Sequence, residues 1–179
     1  VMLAGMYLDA TGDLETIASI WPNIDAALRW IDEYGDRDGD GFVEYYPESS
    51  GSLTNQGWKD SHDSVFHADG ADTEGPIALC EVQGYVFAAK RLAAQMARRL
   101  GRDGAIGLSA AAETLRTRFE DSFWDEELGT YVLALDGAKR PCRVRASNAG
   151  HALFAGIAAP ERAARVTDEL MNRNGFSGW

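Results

Sequence analysis

The chain has 179 residues, 45% hydrophobic and 25% charged, which is enough to bury one ordinary core and favours a single domain over residues 1–179. Its net charge of −11 disfavours nucleic acid or an anionic membrane as partner, because phosphate binding needs clustered Lys and Arg. Two cysteines and no recognisable signal peptide predict a cytoplasmic setting. Apolar residues open the chain uncapped and Trp179 closes it, so we expect a piece of a longer protein, truncated at both ends.

Helical periodicity is the strongest signal along the chain. Apolar residues recur three or four positions apart over residues 14–34, which predicts a helix with Thr11 or Asp13 as its N-cap and Gly35 at its end. Pro22 predicts a kink or a break just before it. Four more helices are predicted, over residues 75–100, 105–121 and 147–158, and from Pro160 to before Gly175.

Strand signals are weak and are confined to residues 42–46 and 131–135. Two connections, residues 35–75 and 125–146, are longer than ordinary loops, and their aromatic residues favour a function over disorder. Repeated helix–loop–helix pairs predict an all-α fold, a helical barrel or solenoid in which each pair buries its inner face against the next.

The sequence DRDGDG at residues 36–41 indicates one of two things. Asp36, Asp38 and Asp40 match the first half of a calcium loop, with Glu44 as a further ligand. The twelfth position of such a loop should be a bidentate Glu and is Pro47 here, which argues against an EF-hand. The alternative is a tight acidic turn that caps the preceding helix. Neither interpretation requires a cofactor for activity. The first includes a structural calcium ion, and the second includes none.

The sequence NQGWKDSHDS at residues 55–64 combines an aromatic residue with carboxylates. Trp58 predicts a stacking surface for a sugar ring, and Asp60 a proton donor to a glycosidic oxygen. Lys59 opposes that role, because a nearby cation favours the ionised form of a carboxyl group. Neighbouring polar side chains are expected to form hydrogen bonds with sugar hydroxyls: Asn55, Gln56, Ser61 and His62.

These motifs, in order, resemble bacterial amylo-alpha-1,6-glucosidases of the glycogen-debranching type. The segments are TGDLETIASIWPNIDAALRWIDEYGDRDGDGFVEYYPES, NQGWKDSHDSVFHADG, GPIALCEVQGYVFAAKRLA, SNAGHALFAGI and FSGW. Such proteins are glycoside hydrolases with an (α/α)6 barrel, related to trehalases and oligosaccharide glucosidases. The resemblance implies about half of such a barrel, with the remainder of the barrel as a partner and an oligosaccharide or small glucoside as substrate.

The resemblance also implies site residues. Asp60 corresponds best to the family's general acid, with Asp63 as the alternative because Lys59 shifts the spacing. The base that activates water for inversion would lie beyond the C-terminus of this chain, so the isolated chain should be inactive. Further substrate contacts are expected among Lys59, Asp63, His67, Glu81, Asn148 and His151. Three of these also have a structural interpretation: a loop tie for Glu81, a loop-shaping role for His67 and a core position for His151, while Ser147 next to Asn148 is expected to cap a helix.

Three functions follow from the sequence. The first is a hydrolase of alpha-glucosidic linkages, the second a non-catalytic carbohydrate-binding module, and the third a calcium-stabilised helical module.

Overall fold

The computed structural model describes residues 1–47 and 52–172, and in these ranges the chain is mostly helical. A π-helical turn, Ile31–Gly35, continues α2. The helices in those ranges are α1 (Met2–Thr11), α2 (Leu14–Trp30), α3 (Cys80–Arg99), α4 (Ala105–Phe123), α5 (Asn148–Ala155) and α6 (Pro160–Met171). Two antiparallel pairs of strands accompany them, β1 (Ala78–Leu79) with β4 (Ala134–Leu135) and β2 (Trp124–Asp125) with β3 (Thr130–Tyr131). The FSGW motif lies outside the described residues.

Helix α3 is the centre of the fold. It packs against α1, α4 and α5, so alternate helices α1, α3 and α5 are neighbours, while α6 packs on α5. A Cβ atom at Gly84 would lie 3.1 Å from Ala155 Cβ, so glycine lets α3 and α5 approach closely. This alternation is the arrangement of paired helices in part of an (α/α)6 barrel, and it confirms the predicted fold class.

The apolar faces predicted from periodicity are buried. Ile17, Trp21, Ile24 and Leu28 of α2 pack with residues of α1 and α3. Aromatic residues dominate a second cluster, in which the ring centroids of Phe119 and Phe123 lie 4.9 Å apart and those of Phe119 and Tyr131 lie 4.7 Å apart. Such aromatic pairs contribute about 0.5–1.5 kcal/mol beyond their buried area.

The α2 helix begins as predicted, but it does not break at proline. Asp13 is the N-cap and accepts a hydrogen bond from the backbone N–H of Thr16. The helix runs through Pro22, whose solvent-exposed ring lies between the buried Trp21 and Ile24. Packing of these two side chains against the core offsets the hydrogen bond that proline cannot donate.

The α3 helix starts at Cys80, later than predicted, because the preceding residues pair as strands. Ile77 exchanges two backbone hydrogen bonds with Tyr45, and the β1 strand that follows pairs with β4. The predicted strand over residues 42–46 is reduced to this single bridge at Tyr45.

The α5 helix is shorter than predicted. It ends at Ala155 because Gly156 adopts a left-handed φ of 75° and its N–H bonds to the carbonyl oxygens of Ala152 and Leu153. Ser147 occupies the N-cap position as predicted, but its side chain makes no capping hydrogen bond in the structure.

Cys80 and Cys142 are both buried free thiols, as expected for residues that serve packing. In the part of the chain that the structure describes, no helix has the length and apolar character needed to span a bilayer.

Candidate functional site

Hydrogen bonds, rather than a hydrophobic core, hold the loop at residues 55–64. Asn55 is only 1% exposed. Its amide nitrogen donates to the carbonyl oxygens of Ser61 and His62, at 2.8 and 3.1 Å, and its Oδ1 atom accepts from the Tyr45 hydroxyl at 2.6 Å. Asn55 was expected to bind sugar hydroxyls, but its polar groups are used to fold the loop.

The loop passes directly over the N-terminal end of α3. A Cβ atom at Gly57 would lie 2.5 Å from Leu79 Cδ1 and 3.4 Å from Glu81 Oε1, so only glycine fits without displacement. Glu81 is 1% exposed, and its Oε2 atom has no hydrogen-bond partner among the described residues. An unsatisfied buried carboxylate oxygen is costly, and it offers a hydroxyl-bearing ligand an acceptor.

Lys59 ties the loop to α5. Its Nζ atom donates to Asn148 Oδ1 at 2.8 Å and lies 5.2 Å from the centroid of the Trp58 ring. Asn148 is 2% exposed, so this contact anchors the loop to a buried position. The ammonium group, which the sequence placed next to Asp60, is therefore directed towards α5 and the indole ring. We call this contact the Lys59–Asn148 latch.

The Trp58 indole forms an exposed aromatic surface that contacts the His151 ring. The indole is 57% exposed and lies 5.6 Å from the His151 ring, at an interplanar angle of 34°. His151 Nδ1 is hydrogen bonded to the Tyr85 hydroxyl. Burial, and then the charge of Glu81, raise the pKa of Tyr85, so its hydroxyl stays neutral. Tyr85 was missed in the sequence, although it follows Glu81 by four residues on the same helix face.

Neither candidate acid is used inside the fold. Asp60 and Asp63 are both exposed, and neither makes a hydrogen bond or ion pair with the residues that the structure describes. The Asp60 carboxyl is thus open to a ligand, two residues from Trp58.

The structure brings together Trp58, Lys59, Asn148 and His151, with Glu81 beneath the loop at Gly57. Two other predicted contacts lie elsewhere. His67 Nε2 is 3.1 Å from Oδ2 of the buried Asp136, which Arg140 also contacts. Gln56 lines a separate cleft beside the π-helical turn.

The acidic loop at residues 36–41 forms a tight turn. The Asp36 carboxylate accepts hydrogen bonds from the N–H groups of Gly39 and Gly41, at 2.7 and 2.8 Å. Asp40 Oδ1 accepts from the N–H of Phe42 at 2.8 Å. Side-chain oxygens of Asp36, Asp38 and Asp40 also lie within 4.8 Å of one another, a spacing that fits a hard divalent cation.

A lysine side chain already contacts this cluster. Lys139 Nζ lies 2.6 Å from Asp38 Oδ2 and 2.7 Å from Asp40 Oδ2, and it is hydrogen bonded to Glu44 Oε1. Burial opposes the charge of Lys139, but its hydrogen bonds to the three carboxylates raise its pKa. Burial raises the pKa of Glu44, and the hydrogen bond and charge of Lys139 offset part of this increase. We call this arrangement the Lys139 clasp, and no local pattern in the sequence indicates it.

Comparison with known proteins identifies the family to which the chain belongs. A model of the family described as the mannosylglycerate hydrolase MGH1-like glycoside hydrolase domain matches residues 2–178. The chain belongs to that family. The expected membership of a glycoside hydrolase family is therefore confirmed, while the matched family is described as MGH1-like and not as the debranching type. No curated protein matches the sequence.

Two solved structures resemble the MGH1-like domain in fold. The GH78 family rhamnosidase of Bacillus sp. GL1 has a TM-score of 0.71 and 21% identity, over 94% of this chain and 16% of that protein. A rhamnosidase from Klebsiella oxytoca, solved with rhamnose bound, has a TM-score of 0.60 and 17% identity, over 93% of this chain and 28% of that protein. The chain thus spans less than a third of either protein. At such identities the likeness concerns the fold alone.

The Lys59–Asn148 latch of the MGH1-like domain should be measurable in unfolding experiments. We expect a double-mutant cycle of Lys59→Met and Asn148→Ala to give a coupling energy of about 1–2 kcal/mol, because the bond joins a charge to a buried amide. Denaturant unfolding of the four proteins measures it. Lys90→Met replaces Lys59→Met as the control and should show no coupling to Asn148. Additive effects of Lys59→Met and Asn148→Ala would contradict the latch.

Proposed function

We propose that this chain is the acid-bearing part of an inverting glycoside hydrolase that acts on alpha-glucosidic linkages, of the debranching or alpha-glucosidase type. The observation that carries the proposal is the loop at residues 55–64. There the Lys59–Asn148 latch directs the ammonium group towards α5, while Asp60, two residues from the exposed indole, makes no hydrogen bond or ion pair with the described residues. The substrate class, an oligosaccharide or small glucoside, follows from the resemblance to debranching-type proteins.

In the proposed reaction Asp60 transfers its proton to the glycosidic oxygen as the bond from that oxygen to the anomeric carbon breaks. A second carboxylate takes a proton from water, which attacks the anomeric carbon from the opposite face. In inverting enzymes the two carboxyl groups stand about 6.5–9.5 Å apart to leave room for that water. Trp58 stacks on the sugar ring. Glu81 accepts hydrogen bonds from the sugar hydroxyls, and His151 exchanges hydrogen bonds with them.

We propose that the second carboxylate comes from further helices of the same barrel, which would leave the 179-residue chain without turnover of its own. An apolar groove of about 830 Å³ supports this proposal. Its lining includes exposed side chains from α1 and α5, with Leu3 79% and Phe154 65% exposed. Such a surface is suited to packing against the apolar faces of other helices.

The acidic loop is proposed to need no metal, since the Lys139 clasp already places a cation against three of the four carboxylates that were candidate calcium ligands. We propose neither nucleic acid nor a membrane as partner, because a net charge of −11 disfavours both. A cytoplasmic location stays a proposal, in keeping with two free thiols.

Trp58→Ala tests the sugar site directly. We expect it to weaken the binding of maltose by about three- to tenfold, because an aromatic stacking contact contributes about 0.5–1.5 kcal/mol. Trp58→Phe, which keeps a ring, should retain most of the affinity. Titration by isothermal calorimetry or by NMR measures both. Unchanged maltose binding by Trp58→Ala would remove Trp58 from the site.

A further inference from the structure

A second aromatic surface lies at the end of α2. The π-helical turn Ile31–Gly35 follows Trp30 directly. The rings of Trp30 and Tyr34 lie 6.4 Å apart at an interplanar angle of 37°, and they are 58% and 63% exposed. Turns of this kind are rare and occur frequently at functional sites. Trp30 also borders the apolar groove, whereas Tyr34 is not among the described residues that line it, so the exposure of Tyr34 needs an explanation other than helix packing.

These rings form one side of a cleft of about 800 Å³, within the size range of ligand sites. A third ring, that of Tyr46, is 47% exposed and carries the Arg37 guanidinium 5.8 Å from its centroid. Gln56 also lines the cleft and lies two residues before Trp58. The cleft is therefore bordered by the candidate catalytic loop itself, with Gly57 between Gln56 and Trp58.

One residue that lines the cleft has an unsatisfied buried acceptor. Glu44 lines it, and the Glu44 side chain is fully buried. One carboxylate oxygen belongs to the Lys139 clasp, while the other, Oε2, has no hydrogen-bond partner in the described part of the chain. A buried carboxylate oxygen without a donor is unfavourable, so polar groups are present at the base of the cleft.

The chemistry of the lining distinguishes this cleft from the apolar groove on the other side of Trp30. Aromatic rings alternate here with the carboxylates of Glu33, Asp36 and Glu44. An apolar helix packed over the exposed carboxylate of Glu33 would desolvate that charge, which is costly. A saccharide fits both features, because its C–H face stacks on aromatic rings and its hydroxyls donate to carboxylates.

We infer that this cleft is a second saccharide subsite, which binds a sugar unit of the substrate beyond the unit held at Trp58. The inference rests on the proposed function, and it adds a requirement for a substrate of at least two units. Tyr34 and Trp30 supply the stacking surface, and Gln56 supplies hydrogen bonds. The cleft thus selects for oligosaccharides over single sugars.

The experiment compares two probes, maltotriose and D-glucose, titrated by NMR against the 179-residue chain. Tyr34→Ala should weaken the binding of maltotriose by about three- to tenfold and leave that of glucose unchanged. Tyr34→Phe should retain maltotriose affinity, because the ring remains. Phe154→Ala is the matched control, since Phe154 is as exposed as Tyr34 but lies in the apolar groove, and it should change neither affinity.

The outcomes separate this inference from the proposed function. Equal maltotriose binding by Tyr34→Ala and the unsubstituted chain, with Trp58→Ala still defective, would overturn the subsite and leave the sugar site at Trp58 standing. A loss with Phe154→Ala as large as with Tyr34→Ala would also overturn it, because the effect would not belong to the cleft. Unaffected binding in Trp58→Ala would count against the proposed function itself.

Discussion

Asp60→Asn should lower kcat by about 10²–10⁴-fold on an alpha-glucoside with a poor leaving group, measured in a protein that carries the complete barrel. The amide cannot donate the proton that the departing oxygen needs, so the bond must break with a full negative charge on that oxygen. Sugar binding should survive, because Asp60 is exposed and makes no hydrogen bond or ion pair with other described residues.

Asp63→Asn is the matched control, because Asp63 is also exposed, unpaired within the described residues and in the same loop. We expect it to retain most of the turnover. If the two variants exchange these phenotypes, the acid is Asp63, and the spacing introduced by Lys59 has misled the assignment. A non-catalytic carbohydrate-binding module would have no turnover to lose in either case.

Lys139→Met should lower the free energy of unfolding by about 2–3 kcal/mol, because it leaves the fully buried Glu44 carboxylate without its counter-charge. We expect a smaller loss of stability than for a fully buried ion pair, because the Lys139 side chain is 32% exposed. Denaturant unfolding measures the loss. Lys90→Met is the control: it breaks the pair with Asp32, whose side chain is 56% exposed, and should cost less than about 1 kcal/mol.

The loss in Lys139→Met should depend on pH. Hydrogen bonding to Lys139 lowers the pKa of Asp38, so in the unsubstituted chain this group adds stability above its unfolded value of about 3.9. Without Lys139, burial keeps the pKa of Glu44 above its unfolded value, so the folded state binds more protons and stability falls as pH rises. The gap between the two proteins should therefore widen from pH 4 to pH 7. An equal gap at both values would contradict the clasp.

Calcium provides a second test of the clasp. We expect calcium to leave the melting temperature of the unsubstituted chain unchanged and to raise that of Lys139→Met, in which the carboxylates lack a cation. A rise in the unsubstituted chain would favour the calcium interpretation of the DRDGDG sequence instead.

The helices could be predicted from the sequence because periodicity reports directly which face is buried. The α2 helix and its cap at Asp13 illustrate this, since the spacing of Ile17, Trp21 and Ile24 matches the buried face. The start of α3 could not be predicted, because it depends on the pairing of Ile77 with Tyr45 and of β1 with β4, which are distant in sequence.

The candidate site was predictable where chemistry is local and not where it is shared between distant segments. Trp58, Lys59 and Asp60 lie in one short loop, and their types indicate their roles. Lys139 reaches Glu44 across 95 positions in the sequence, and no local pattern indicates that contact. His67 illustrates the same limit, because its partner Asp136 lies 69 positions away.

The most direct test of the central claim, that Asp60 donates the proton, is the leaving-group dependence of kcat/KM in the complete enzyme. Asp60→Asn and the unsubstituted protein are compared on alpha-glucosides whose leaving groups range from dinitrophenol to simple alcohols. We predict that the deficit of about 10²–10⁴-fold on alcohols shrinks to less than about tenfold on the dinitrophenyl glucoside, which needs no protonation. The same deficit across the whole series would contradict the assignment.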